Sequence, residues 1–169
     1  MENVTFAALG VLPVLMIVGG LHDLTTMRIP NWISLALLAA FFPAALLVDL
    51  TGGEIALHVG VGAAALLVGM AMFALNWIGG GDAKLLAAGS LWMGPPSVLM
   101  FALYSAVVGG LFCLVLISAR AIAPSYPGVP AWATRLLEPK GDIPYGVALA
   151  GGALLVFPNS PLVTAFVGG

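Results

Sequence analysis

Two carboxylates in an otherwise apolar chain are the residues whose type and position most directly imply chemistry. Asp82 follows three glycines, Gly79-Gly80-Gly81, and precedes Ala83-Lys84, between two stretches apolar enough to sit in lipid. Asp23 stands at the end of the first apolar stretch. A carboxylate at membrane depth is costly and marks a functional site by default. Two carboxylates that share a low-dielectric pocket cannot both ionise easily, so one keeps its proton while the other stays anionic. Such a pair can hold a water, remove its proton with the ionised member, and protonate or hydrogen-bond a peptide carbonyl with the other. That is the chemistry of peptide-bond hydrolysis by an activated water. It requires elements that bring Asp23 and Asp82 to one place.

Composition decides what those elements are. The chain has 169 residues, is 62% hydrophobic, and carries 5 Lys and Arg against 7 Asp and Glu; its mean hydropathy is +1.14. A soluble domain has about a quarter of its residues charged. The chain is therefore read as an all-α integral membrane protein, a single transmembrane domain over 1–169. It divides into about six spans, near 5–21, 31–50, 55–77, 82–93, 97–119 and 143–165, with a loop at 120–142. The first is read as a retained helix, because Glu2 is its only charge and no basic segment precedes the apolar run. The fourth, following the Gly-rich loop, is short: twelve residues rise only about 18 Å against a hydrocarbon core of roughly 30 Å. The Gly79 to Gly81 loop is thus expected below the membrane surface, in protein or a wet cavity. Glycine there lets a substrate backbone or a neighbouring helix approach closely.

The cations test the count. Arg28, Lys84, Arg120, Arg135 and Lys140 all fall on one side of a six-span layout, while the loops at 49–54 and 94–96 carry no Lys or Arg. The positive-inside rule places the cation-bearing loops in the cytoplasm and both termini outside. Asp23 and Asp82 then share the cytoplasmic face.

Asp23-Leu-Thr-Thr-Met-Arg28-Ile29-Pro30-Asn31 and Gly79-Gly80-Gly81-Asp82-Ala83-Lys84-Leu85 resemble the two signatures of the type IV prepilin peptidases, an aspartate six residues before Ile-Pro-Asn and a Gly-x-Gly-Asp followed by x-Lys. Pro144-Tyr145-Gly146 resembles a further family feature. The resemblance implies a membrane-embedded aspartic endopeptidase of the inner membrane with Asp23 and Asp82 as the catalytic pair, and no cofactor or metal. It implies as substrate a precursor pilin with a short basic leader and a hydrophobic helix, cut at the cytoplasmic membrane boundary. The bifunctional members carry an N-terminal methylating part with Cys-x-x-Cys motifs. This chain has one cysteine and resembles the short, peptidase-only form found with tight-adherence (Flp-type) pili or archaeal preflagellins, so no methyltransferase activity is expected.

Each residue also has a plainer role. Asp82 is a favoured N-cap after a Gly loop, a role compatible with catalysis. Lys84 either snorkels to headgroups or steers the leader and tunes the dyad. Arg28 is read as a topology determinant, and Pro30-Asn31 as a helix start with Asn31 bonding the returning backbone. His22 points about 100° from Asp23 on a helix and His58 belongs to the outer end of the third span, so neither is read as a general base or metal ligand. Tyr145 reads as an interfacial anchor bordering the site. Cys113 reads as a buried small hydrophobe. Within 120–142, Pro124, Pro127, Pro130 and Pro139 mark a mobile or surface-lying loop, with Trp132, Leu136 and Leu137 dipping into headgroups. No Ser-based nucleophile, phosphate loop or nucleic-acid patch is visible. The rival readings are a small proton-coupled transporter or channel, with the aspartates as relay groups, and a non-catalytic pilus assembly subunit.

Overall fold

Long apolar runs leave the backbone no partner in lipid but itself, which favours helices, and every regular element among the described residues is helical. The computed structural model describes residues 2–122, 131–138 and 141–168. In chain order the elements are α1 (Glu2–Thr26), α2 (Asn31–Leu47), α3 (Gly52–Ala74), α4 (Gly80–Ile122), α5 (Ala131–Leu136), α6 (Tyr145–Val156), a 3-10 turn (Phe157–Asn159) and α7 (Pro161–Gly168). Four stretches are long and apolar enough to cross a membrane, namely α1, α3, α4 and the combined Tyr145–Gly168 segment, and α2 is a shorter apolar helix. The fold is an all-helical membrane bundle.

Local chemistry sets the element ends and moves several from the positions expected. The first helix runs past residue 21, through Asp23, and in its last turns the Thr25 and Thr26 hydroxyls donate to the carbonyls of Leu21 and His22. It stops where Met27 adopts a left-handed φ of 55° and its N–H closes on the Asp23 carbonyl. The third helix starts at Gly52 because Thr51 and Glu54 form a capping box, each side chain accepting the other's backbone N–H. It ends before Asn76, at φ 58°. The last span is broken: α6 stops at Val156, Pro158 sits in the 3-10 turn, and α7 resumes at Pro161. Within 120–142, the helix of Arg120 continues to Ile122 and α5 forms a separate short turn of helix whose Leu136 is buried. The side chain of Trp132 and residues Pro124, Pro127, Pro130, Pro139 and Lys140 lie outside the described residues.

The expected short fourth helix is present as the first limb of α4. Gly94 (φ 63°, ψ −178°) interrupts α4, leaving limbs over 80–93 and 95–122. The first limb rises about 21 Å and forms the core: Leu85, Ala88, Leu91, Trp92 and Met93 are all buried. Trp92 donates from Nε1 to the Leu37 carbonyl at 2.9 Å and meets the rings of Phe41 and Phe157 edge-on. The second limb packs on α6 through small residues: a Cβ added at Gly152 would lie 2.7 Å from the Ser105 backbone nitrogen. Close backbone approach of this kind drives helix association where lipid supplies no hydrophobic force.

The bend at Gly94 carries an unpaired carbonyl that His58 satisfies. Pro95 has no N–H, so the carbonyl four residues before it, that of Leu91, loses its helical donor. His58, buried on α3, supplies the replacement from Nδ1 at 2.7 Å while its ring stacks on Phe41. The imidazole also fills the space a side chain at Gly94 would need. His58→Phe keeps a stacking ring and removes the donor. It is expected to lower the unfolding midpoint in detergent by the equivalent of about 1–3 kcal/mol, the cost of an unpaired buried carbonyl; an unchanged midpoint would refute this role for the histidine.

Candidate active site

Three helix ends meet around the two aspartates. The α6 start has Pro144 as its N-cap and no side-chain cap of its own. The first turn of a helix leaves backbone N–H groups without partners, and Asp23 of α1 supplies one: its Oδ2 accepts the Gly146 N–H at 2.8 Å. Asp23 is only 5% exposed. This carboxylate is therefore held in place by the helix start it caps.

Asp82 is fixed by its own helix. The Gly79 carbonyl accepts the Ala83 N–H, which makes Gly79 the N-cap of α4 and Asp82 the third helical residue, rather than the cap itself. From there Asp82 reaches back, and its Oδ2 accepts the Gly79 N–H at 3.1 Å. This is the carboxylate half of a capping box, with a glycine where Ser or Thr would usually stand. Asp82 Oδ1 is buried and has no hydrogen-bond partner among the described residues. A buried polar atom in that state is unusual and calls for an explanation.

Ile29 links the two carboxylate-bearing ends. A Cβ on Gly81 would lie 3.0 Å from Ile29 Cβ, and a Cβ on Gly146 would lie 2.9 Å from both Ile29 Cδ1 and Asp23 Oδ2. Both glycines thus make room for this one side chain. The turn that carries it is held by His22, whose Nδ1 donates to the Arg28 carbonyl at 2.8 Å. Pro30 is the N-cap of α2 and Asn31 its first residue. Asn31 bonds a side chain rather than returning backbone: Lys84 Nζ donates to its Oδ1 at 2.8 Å. Lys84 is exposed, and this bond runs from α4 to α2, away from the two carboxylates.

Asp23 and Asp82 open onto one cavity of about 600 Å³, shared with Asn76, Trp77, Gly79, Cys113, Asp142, Pro144 and Tyr145. The structure thus brings together Asp23, Asp82, Gly79, Gly81, Ile29, Pro144, Tyr145 and Gly146, and sets Lys84 and Asn31 to one side. Asn76, Trp77 and Asp142 were not anticipated as cavity residues. Asn76 and Trp77 stand at the end of a long apolar run with nothing in their spacing to mark them. Asp142 was a visible signal, a carboxylate two residues before Pro144-Tyr145. Cys113 is half-buried on the cavity wall rather than sunk in an apolar core.

Arg120 was visible only as a charge for topology, and its position gives it a second job. Its Nε donates to the Leu136 carbonyl at 2.8 Å, and one terminal nitrogen donates to the carbonyls of Gly141 and Asp142 at 2.9 and 3.0 Å. Gly141 and Asp142 line the cavity, so this guanidinium fastens that wall to the end of α4. Arg120→Met is expected to loosen the wall and speed maleimide labelling of Cys113, which lines the same cavity. The increase should be about fivefold or more, the equivalent of losing about 1 kcal/mol of net hydrogen bonding. An unchanged labelling rate would show that the wall does not depend on the guanidinium.

A family model described as the type IV leader peptidase family matches residues 10–114. The matched stretch contains both Asp23 and Asp82, the Ile29-Pro30-Asn31 turn, and the Gly79 to Lys84 segment. No curated protein and no solved structure matches the chain. With more than half of its length matched, and with two aspartates of the matched stretch gathered on one cavity of a helical membrane bundle, the chain belongs to the type IV leader peptidase family.

Proposed function

We propose that the protein is a membrane-embedded aspartic endopeptidase that removes the leader of a type IV prepilin-like precursor, of the Flp-type pilin or preflagellin kind. The observation that carries this reading is that Asp23 and Asp82, 59 positions apart in sequence, line a single polar cavity at one end of the bundle. Each carboxylate has one oxygen held by a backbone N–H, Gly146 for Asp23 and Gly79 for Asp82. Fixed carboxylates are suited to holding a water between them. The ionised member takes the proton of that water as it attacks the scissile carbonyl, and the protonated member donates to the carbonyl oxygen. The unpartnered Oδ1 of Asp82 is the oxygen best suited to the water or to the shared proton. The precursor's leader lies in the cytoplasm, on the side that the positive-inside rule assigns to Arg28, Lys84 and Arg120. Its hydrophobic helix stays in the bilayer.

Cleavage is at an extended peptide bond, because a helical one is hydrogen-bonded and screened by its own side chains. The Gly79 to Gly81 loop, next to the cavity, is where the backbone can adjust to admit it. Asp142 and Tyr145 line the cavity that would receive it.

Co-expression with a precursor pilin, read as a mobility shift at matched membrane levels, tests the reading. Asp23→Asn and Asp82→Asn keep the shape and remove the ionisable group, and each is expected to reduce cleavage by about 10²–10⁴-fold. Gly146→Ala retains both carboxylates but pushes a methyl group against Asp23 and Ile29. It is expected to cut the rate by up to about 10²-fold. Normal cleavage by either asparagine variant would defeat the aspartic mechanism and favour the relay or assembly readings.

A further inference from the structure

A second cavity, of about 490 Å³, lies where α2, α3 and the first limb of α4 meet. It is on the other side of α4 from the carboxylates: Lys84, on its rim, is about 200° around the helix from Asp82. Its walls are apolar, formed by Leu35, Leu38 and Phe42 of α2 and by Ala63 and Leu66 of α3, over a floor of Ala87, Ala88 and Leu91. Both α2 and α3 pack on α4 but scarcely on each other, and Leu35, Leu38 and Leu66 are exposed on the outer surface. The groove therefore opens sideways, towards lipid.

Its polar groups are gathered at one end. Lys84 is the only charged residue among those lining the groove, and its ammonium is held at the rim by a neutral partner, Asn31 Oδ1, at 2.8 Å. The positive charge is thus positioned by a neutral partner. The α2 start beside it has no side-chain cap, so the positive end of its helix dipole faces the same rim. From Asn31 to Phe42 the groove follows α2 for about 16 Å, half the roughly 30 Å hydrocarbon core and so the depth of one leaflet. Apolar walls, a sideways opening and a single charged side chain at the rim match the acyl chain and anionic headgroup of a lipid.

We propose that this groove is a binding site for one anionic phospholipid, with an acyl chain between α2 and α3 and the phosphate at Lys84. An ammonium near the membrane surface favours anionic lipid by about 1 kcal/mol, or about fivefold. The full chain in nanodiscs of phosphatidylethanolamine and phosphatidylglycerol in equal parts, released into native mass spectrometry, gives the test. Wild type is expected to retain one phosphatidylglycerol in preference to phosphatidylethanolamine. Lys84→Met should reduce that preference about fivefold, and Ala63→Trp, which fills the groove, should abolish retention of either lipid. Leu99→Trp, on an exposed face outside the groove, should match wild type. Asp82→Asn should also match wild type, so the outcome does not depend on the peptidase reading. Equal retention of the two lipids by wild type, or unchanged retention in both Lys84→Met and Ala63→Trp, would overturn the proposal. A photo-crosslinker at Leu38 is expected to capture lipid; capture of a precursor helix or a second copy of the chain would overturn it as well.

Discussion

The contact on which the site depends is the hydrogen bond from the Gly146 N–H to the Asp23 carboxylate. It joins the end of the first helix to the start of α6, 123 residues later, at 2.8 Å and out of solvent. A helix start buried in a membrane protein has N–H groups that no water reaches, and leaving one unpaired costs about 1–3 kcal/mol. Asp23 removes that cost and is itself oriented by doing so. The Gly146 N–H engages one oxygen of that carboxylate, Oδ2. Asp82 repeats the arrangement within α4, one oxygen bound to Gly79 and the other free of any partner among the described residues. The same physical need, closing off a helix N-terminus, thus positions both acids.

The glycines make sense in that frame. Gly81 and Gly146 sit on two different helices, yet each leaves room for the same Ile29 side chain. A methyl group at Gly81 would press on Ile29 Cβ and its backbone, and one at Gly146 on the side chains of Ile29 and Asp23. At the far end of the first limb of α4, Gly94, Pro95 and His58 solve a different problem, a helix that must turn inside the bundle. Proline leaves the Leu91 carbonyl open, and an imidazole from α3 closes it. The limb between these two ends is short and largely buried, which gives Asp82 a fixed base.

The carboxylate pair and the helical membrane fold were legible because a charge in lipid is conspicuous and apolar runs of this length have few other uses. Counting cations placed Asp23 and Asp82 on the same face without any knowledge of contacts. Other features depend on bonds that residue type and spacing do not reveal. Asp82 looks like an N-cap in isolation, and only the bonds made by the Gly79 carbonyl and N–H show it to be the third residue of the helix. Arg120 and Asp142 carry their meaning through backbone carbonyls and a cavity wall, neither of which leaves a trace in residue spacing. Lys84 was open between a role at the dyad and a role at the membrane surface, and its bond to Asn31 turns it from the carboxylates.

Asp23 and Asp82 line one cavity, and the proposed mechanism requires them to meet there as a pair. Its most direct test is thiol bridging in native membranes, with Asp23→Cys and Asp82→Cys combined on a Cys113→Ser background and treated with a short bifunctional methanethiosulfonate. An intramolecular bridge between the two thiols is expected in protein whose size-exclusion profile matches wild type, and no bridge when either position alone is cysteine. Two thiols that both react with a monofunctional reagent but do not bridge would contradict it.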